Sequence, residues 1–167
     1  MDITGLIGQY AHGNEPSHHT TYMYAYSGEH YKIADKVRYI NNELYTDEPD
    51  GLSGNEDCGQ MSAWYILSSM GFYPVNPSNG AYVFGSPLFD EVFLNIPGQN
   101  KFKISAKNNS DKNIYIQSVS LNGEDYKYSY ITHKQILEGG ELEFVMGPSP
   151  NKNFGTEKKY RPKSIVY

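Results

Sequence analysis

Cysteine and long hydrophobic runs are nearly absent from this sequence. Cys58 is the single cysteine among 167 residues, which excludes an internal disulfide framework and leaves the cellular compartment undetermined. No apolar stretch approaches the roughly 20 residues that a membrane-spanning helix needs, and the first residues lack the charged and apolar regions of a signal peptide. We therefore expect no membrane partner, and we expect Cys58 to be a small packed thiol.

Positive charge is also scarce. The chain has 14 Lys and Arg against 19 Asp and Glu, for a net charge of −5. Proteins that bind nucleic acid need a basic surface to meet the phosphates, so we expect no nucleic-acid partner. Aromatic residues, in contrast, are abundant, with 16 Tyr and 7 Phe. Tyrosine offers a ring face and a hydroxyl, which suits carbohydrate binding, although β-rich cores also use it heavily.

The hydrophobic periodicity changes near Pro74–Pro77. Before this point the spacing predicts helices at 16–28, 30–45 and 60–70. After it, alternating apolar residues predict strands at 82–84, 92–96, 102–106, 114–119 and 142–146. We predict a mixed α and β fold, with a partial helical domain at 1–77 and an antiparallel β-sandwich domain at 78–167. The polar tail from residue 151 is expected to be loosely held. The residues predicted to be buried between the helices are Ile33, Val37, Ile40, Leu44, Met61 and Leu67.

Two adjacent carboxylates, Glu56 and Asp57, stand in the segment GNEDCGQMSAWY at 54–65, directly before a predicted helix. The flanking Gly54 and Gly59 permit unusual backbone angles and the close approach of a ligand. The helix directs the positive end of its dipole at this loop, which favours a charged carboxylate there. One interpretation is therefore a catalytic base. The other is that both acids only cap the helix.

A second motif, GNEPSHH at 13–19, precedes the first predicted helix. Zinc binding by its two histidines is unfavourable, because adjacent side chains on a helix point about 100° apart and do not converge on one ion. We expect one of His18 and His19 to be packed and the other solvated. Trp64, in the third predicted helix, is expected to be a core residue rather than a sugar-stacking one.

These two motifs, together with GFYPVNP at 71–77 and GSPLFD at 85–90, resemble glycoside hydrolase family 92. This family contains calcium-dependent, inverting exo-α-mannosidases that are often secreted or periplasmic. The resemblance implies that residues 1–73 are the last helices of an (α/α)6 barrel. It also implies that the residues from about 78 pack beside that barrel as part of a β-sandwich.

The resemblance also implies roles for individual residues. Inverting hydrolysis needs a general acid and a second carboxylate, about 6.5–9.5 Å away, that activates water. Asp57 matches the water-activating base, and the backbone carbonyl of His18 matches a calcium ligand, since calcium takes oxygen ligands. The residues implied to contact water or the mannose-containing glycan are Asn14, Glu15, Asn55 and Glu56. Members that favour α-1,2 linkages resemble His-Glu where this chain has Asn-Glu, which leaves the linkage open.

The resemblance implies that the general acid lies upstream of GNEPSHH, in helices that we expect to be missing from this chain. We therefore expect the C-terminal portion of an α-mannosidase that is inactive alone and needs the missing N-terminal part as its partner. The alternative is a non-catalytic carbohydrate-binding or interaction module. Because helices in such arrays need neighbours to cover their apolar faces, self-association through uncovered helices is also expected.

Overall fold

The computed structural model describes residues 4–98 and 101–164. Its first half is mainly helical. A short antiparallel hairpin of β1 (Leu6–Ile7) and β2 (Tyr10–Ala11) is followed by α1 (Tyr24–Ser27), α2 (Lys32–Glu43) and α3 (Gln60–Ser69). Single 3-10 turns occur at Glu15–Ser17, Thr20–Tyr22 and Asp57–Gly59. Within the described ranges no helix is long and apolar enough to cross a bilayer.

The helices predicted at 30–45 and 60–70 are confirmed as α2 and α3, at slightly shorter lengths. A continuous helix at 16–28 is wrong, because two 3-10 turns and the four-residue α1 occupy this segment. The β-branched pair Thr20 and Thr21 disfavours an α-helix here. The predicted stop is correct, since Gly28 adopts φ 86° directly after α1.

The apolar stripe of α2 packs on α3 as its spacing predicts. Ile33, Val37 and Ile40 are fully buried and form one cluster with Trp64 of α3. Met61 is also fully buried, while Leu44 and Leu67 are half-buried at the edge of the array. Trp64 is therefore a core residue, as predicted.

The second half is built from strands. In chain order they are β3 (Phe72–Asn76), β4 (Ala81–Phe84), β5 (Glu91–Asn95), β6 (Lys101–Lys107), β7 (Tyr115–Leu121), β8 (Glu124–Asp125), β9 (Tyr130–Thr132) and β10 (Gly140–Gly147). A short helix, α4 (His133–Leu137), begins at a capping box formed by Thr132 and Gln135. The strands form a three-stranded sheet in the order β3-β4-β9 and a five-stranded sheet in the order β5-β6-β10-β7-β8.

One strand pair contradicts the antiparallel prediction. β10 runs parallel to β6, with Leu142 opposite Ile104, whereas the other pairs in the five-stranded sheet are antiparallel. Parallel neighbours need a long crossover connection, and residues 108–139 supply it through β7, β8, β9 and α4. Because the direction of pairing depends on that whole path, the pattern within either strand does not reveal it.

The three-stranded sheet lies between the helices and the larger sheet. Alternate side chains of a strand point to opposite faces. Tyr73 and Val83 accordingly join the helical cluster, whereas their neighbours Phe72 and Phe84 join a second cluster with Phe144 of β10. The β3–β4 pair thus spans the predicted boundary at residue 77. The division into two domains and the barrel and sandwich assignments stay predictions.

The C-terminal tail is held more firmly than its polarity indicates. The backbone amide of Ser129 donates to the carbonyl of Tyr160 (2.9 Å), and Asn151 Nδ2 donates to the carbonyl of Gln117 (2.8 Å). Phe154 packs against the core between the sheets. The prediction of a loose tail is therefore wrong for residues 151–164, because backbone and side-chain hydrogen bonds and the packing of Phe154 hold this segment. Residues 165–167 of that prediction lie outside the described residues.

Candidate functional site

The two motifs that both begin Gly-Asn-Glu meet in space at their glycines. Gly54 adopts φ 73°, and a Cβ there would overlap the carbonyl oxygen of Gly13. A Cβ on Gly13 would in turn lie 3.1 Å from the backbone nitrogen of Gly54. Only glycine combines a left-handed backbone with so close a contact. The loops 13–15 and 54–56, far apart in sequence, are therefore neighbours.

The two adjacent carboxylates of the second loop have different surroundings. Glu56 accepts hydrogen bonds from the backbone nitrogen of Ser62 (3.1 Å) and from its hydroxyl (2.7 Å). Ser62 lies in the first turn of α3, where backbone N–H groups lack partners within the helix. Glu56 thus caps α3. The described part of the chain donates no hydrogen bond to Asp57, whose side chain is exposed. The capping interpretation therefore fits Glu56 and not Asp57.

The backbone after Asp57 makes a tight bend. Cys58 has φ 54° and Gly59 has φ 80°, so two left-handed residues follow one another before α3 begins. A non-glycine residue in this region is uncommon and tends to occur at functional sites. Cys58 is exposed, and the prediction of a packed thiol is wrong, because the bend holds this residue away from the core.

Glu15 lies on a cavity of about 340 Å³ whose wall also includes His18, Gln60 and Tyr73. Its Oε1 atom is buried and has no hydrogen-bond partner among the described residues. A buried acceptor without a partner is costly, so this oxygen is a natural position for a donor from a ligand. The side chain of Gln60 closes the wall by donating to His18 Nδ1 (3.3 Å) and to the hydroxyl of Tyr73 (3.0 Å).

His18, in the wall of this cavity, is stacked on a second histidine, His12. His18 is buried, whereas His19 is exposed, as predicted. The ring of His18 stacks on that of His12 at 4.7 Å, and its Nε2 donates to the backbone carbonyl of His12 (2.9 Å). Because a carbonyl only accepts, His18 carries its proton on Nε2, and Nδ1 accepts from Gln60. Burial lowers the pKa of His18 from its ordinary value.

His12 is a residue that the sequence analysis missed. It is fully buried, and its Nε2 and Nδ1 lie 2.6 Å and 2.7 Å from the hydroxyls of Tyr45 and Tyr10. Tyr45 donates its proton to the carbonyl of Met61, so Nε2 of His12 donates to Tyr45 and Nδ1 accepts from Tyr10. Burial, with a smaller effect from His18, lowers the pKa of His12 from 6.5 to about 3. Its sequence signal was only the alternation Tyr10-Ala11-His12.

The carbonyl implied as a calcium ligand is already in use. His18 O accepts a hydrogen bond from Trp64 Nε1 (3.1 Å), which leaves one lone pair. The described ranges contain no group of three or more His, Cys, Asp or Glu residues that could hold a metal ion. Calcium takes six to eight oxygen ligands. These residues alone therefore do not form a calcium site.

The structure brings some of the implied site residues together and separates others. Glu15 and His18 share the 340 Å³ cavity, while Glu56 borders a different cavity of about 850 Å³. Asp47 and Tyr65 lie on this second cavity. The remaining implied residues, Asn14, Asn55 and Asp57, are exposed on the adjoining loops.

Comparison with known proteins identifies relatives over nearly the whole chain. The family model described as the glycosyl hydrolase family 92 catalytic domain matches residues 1–148. A family GH92 α-mannosidase from Bacteroides thetaiotaomicron, solved in complex with mannoimidazole, is 43% identical and superposes with a TM-score of 0.94. A family GH92 inverting mannosidase from the same organism is also 43% identical, with a TM-score of 0.88. The similarity covers 98% and 94% of this chain, respectively.

The chain spans about a fifth of these relatives' length. It corresponds to 22% and 21% of the two Bacteroides mannosidases. A protein described as an uncharacterized secreted glycosidase from Arthroderma benhamiae is 32% identical over 156 residues, which are 92% of this chain and 20% of that protein.

Proposed function

Because the chain belongs to glycoside hydrolase family 92, we propose that it is the C-terminal portion of an inverting α-mannosidase that removes terminal mannose from glycans. The observation that carries this proposal is the contrast between the two adjacent acids. Both side chains are exposed. Glu56 accepts two hydrogen bonds from Ser62 of α3, whereas Asp57 accepts none from the described residues and keeps its acceptor sites for other groups. Two solved relatives of this region are described as mannosidases, one of them as inverting.

In this proposal Asp57 acts as the general base. The step requires a carboxylate oxygen within hydrogen-bond reach of the attacking water. Asp57 supplies the carboxylate, and the left-handed bend at Cys58 and Gly59 fixes the backbone that carries it. Glu56 supports the loop by holding it to α3, and Asn55 adds an amide on the exposed side. The water gives its proton to Asp57 as it attacks the anomeric carbon from the face opposite the leaving group.

Glu15 and Asn14 form the subsite for the leaving group. The buried Oε1 of Glu15 is an acceptor suited to a sugar hydroxyl, and the stacked pair of His18 and His12 gives the cavity a rigid wall. Contact between Gly13 and Gly54 sets the position of this subsite relative to the loop of the base. An α-1,2 linkage is the first to test, because Glu15 is one of the two residues of the His-Glu pair that accompanies a preference for this linkage.

The general acid and most of the calcium ligands belong, in this proposal, to the part of the catalytic domain outside this chain. The His18 carbonyl has one lone pair left to offer a metal. We therefore expect no mannose release by the chain alone, with or without calcium. Its functional partner would be the remaining portion of a family 92 catalytic domain.

A chimera tests the assignment directly. In the Bacteroides α-mannosidase, residues 1–167 of this chain would replace the matching 22% of that protein. We expect the chimera to release β-mannose from a synthetic α-mannoside, as followed by NMR of the product. EDTA is expected to suppress this activity, and calcium is expected to restore it.

The variant Asp57→Asn in the chimera is expected to lower kcat by about 100-fold or more, the size of a general-base contribution. Asp50→Asn, at an exposed carboxylate of the preceding loop, is the matched control and should retain activity. An active, folded chimera that is insensitive to Asp57→Asn would refute the role of this residue. Robust mannose release by the 167-residue chain alone would refute the expectation that it lacks the acid.

A further inference from the structure

A cavity of about 220 Å³ lies on the strand-rich half, away from the Gly-Asn-Glu loops. Its wall is formed by residues 117–119 of β7, by the 125–127 segment that follows β8, and by the tail between 151 and 160. None of its lining residues lines the cavities at Glu15 or Glu56. We propose that this cavity is a second carbohydrate site, which binds one neutral sugar residue of the glycan without acting on it.

The lining has the chemistry that a sugar ring requires. Tyr126, Phe154 and Tyr160 supply aromatic surface, and Asn153 supplies an amide group. Gln117 adds only its amide oxygen, because its Nε2 already donates to the carbonyls of Tyr115 and Ser149. Aromatic rings meet the apolar C–H faces of a sugar, while amides donate to and accept from its hydroxyls. Small-molecule sites commonly combine apolar surface with a few polar groups in this way.

The charges of the cavity exclude an anionic ligand. Asp125 and Glu157 contribute two carboxylates, against one ammonium group from Lys127. Lys127 Nζ lies 3.8 Å from Asp125 Oδ2, and Lys159 Nζ lies 3.1 Å from Glu157 Oε2. The carboxylates are thus partly balanced by their own neighbours, and no cation is left for a phosphate or a sulfate. A neutral polyhydroxylated ligand fits this balance.

The walls are built before any ligand arrives. The carbonyl of Tyr160 accepts from the backbone amide and the hydroxyl of Ser129 (2.9 and 3.2 Å). Gly155 adopts φ 68° and packs so closely that a Cβ would lie 2.9 Å from Cβ of Ser129. The ring of Tyr160 is held edge-on to that of Tyr128 at 5.3 Å. A preformed site loses little ordering entropy on binding.

The cavity, of about 220 Å³, is below the roughly 300 Å³ at which sites for drug-sized ligands begin, so its walls enclose about one sugar unit. Identification of that unit as mannose rests on the proposed function. The existence of the site does not, because it uses different residues from the proposed catalytic loops. Such a site would hold one terminus of a branched glycan while another terminus of the same glycan occupies the cleft of the catalytic domain.

Chemical-shift mapping of the isotope-labelled chain tests the proposal. Titration with methyl α-mannoside should shift the backbone amides of residues 117–119, 125–127 and 151–160 in a saturable way, and equal concentrations of glycerol should not. Asn153→Ala removes an exposed amide without touching the core, and we expect it to weaken the apparent Kd about fivefold. Tyr160→Ala should weaken it by about tenfold, equivalent to 1.4 kcal/mol.

Two controls separate this inference from the catalytic one. Lys152→Ala alters an exposed neighbour that does not line the cavity and should leave binding unchanged. Asp57→Asn should also leave it unchanged. Saturable shifts that are confined to residues 13–19 and 54–60 would overturn the second site while supporting the proposed function. Absence of any saturable shift at the cavity, or an equal response to glycerol, would overturn it as well.

Discussion

Acidification should destabilise this chain well above the pH at which its carboxylates are protonated. His12 and His30 are both buried in the folded chain. Burial lowers the pKa of His12 from 6.5 to about 3 and that of His30 from 6.5 to about 4. In His30 a hydrogen bond from Nε2 to the carbonyl of Phe84 (2.9 Å) opposes this effect only in part.

The direction in which stability changes with pH follows from the number of protons bound by the folded and unfolded states. Below pH 6.5 the unfolded chain protonates these histidines, whereas the folded chain keeps them neutral down to about pH 4. Stability is therefore fully present above pH 6.5 and falls as the pH decreases toward the folded pKa values. Between pH 7.5 and 5.5 each histidine lowers the free energy of unfolding by about 1.4 kcal/mol, and the two together lower it by about 3 kcal/mol. His18, whose pKa is also lowered, adds to this loss.

Urea unfolding at several pH values measures this loss as a change in the free energy of unfolding. In His30→Gln, which keeps an amide donor near Phe84, the loss between pH 7.5 and 5.5 should shrink by about 1.4 kcal/mol. His19→Asn is the matched control, because solvent surrounds the exposed ring of His19. A free energy of unfolding that stays constant from pH 7.5 to 5.5 would refute the reasoning, as would a loss that His30→Gln does not alter.

Three further predictions concern the contacts that build the fold. Gly54→Ala forces a side chain onto Gly13 and a left-handed φ onto alanine. Thermal unfolding should therefore show that the free energy of unfolding falls by about 2–4 kcal/mol. Arg38→Met removes the buried guanidinium that donates to Ser86 Oγ, the Pro87 carbonyl and Asn109 Oδ1. Urea unfolding should then show that the free energy of unfolding falls by about 2–4 kcal/mol, since these acceptors lose a charged donor. A decrease of less than about 1 kcal/mol would contradict this expectation. Leu6 and Ile66 are 59% and 55% exposed on the helical half, so the chain should self-associate with rising concentration in sedimentation velocity. The double variant Leu6→Ser/Ile66→Ser should remain monomeric, and an unchanged association would show that another surface is responsible.

Several elements of the fold could be predicted from local pattern. The stripe of Ile33, Val37 and Ile40 required a helix that packs on one face, and the alternation around Phe102 and Phe144 required strands. The short helix α4 was missed although its capping residues stand in the sequence, because a five-residue helix has too little periodicity to detect. β3 was missed because the prolines at 74 and 77 read as a break between elements.

The candidate site was predictable in its residue types but not in its arrangement. The carboxylates, the glycines and the histidine pair could all be found by motif. That Glu56 caps α3 while Asp57 accepts no hydrogen bond from the described residues depends on the position of Ser62, which no motif specifies. The buried ring of His12 was overlooked because a histidine between a strand and a loop has no distinctive sequence signal.

The sequence by itself determined the family, the helix-then-strand order and the absence of an internal disulfide, since each of these depends on composition or on residues close together along the chain. The tertiary structure alone decided which of the two acids is hydrogen-bonded to α3, that the two Gly-Asn-Glu loops meet, and that β10 joins β6 in parallel. These features arise from contacts between residues far apart in the chain. Such contacts are selected by packing of the whole molecule, and no local pattern records them.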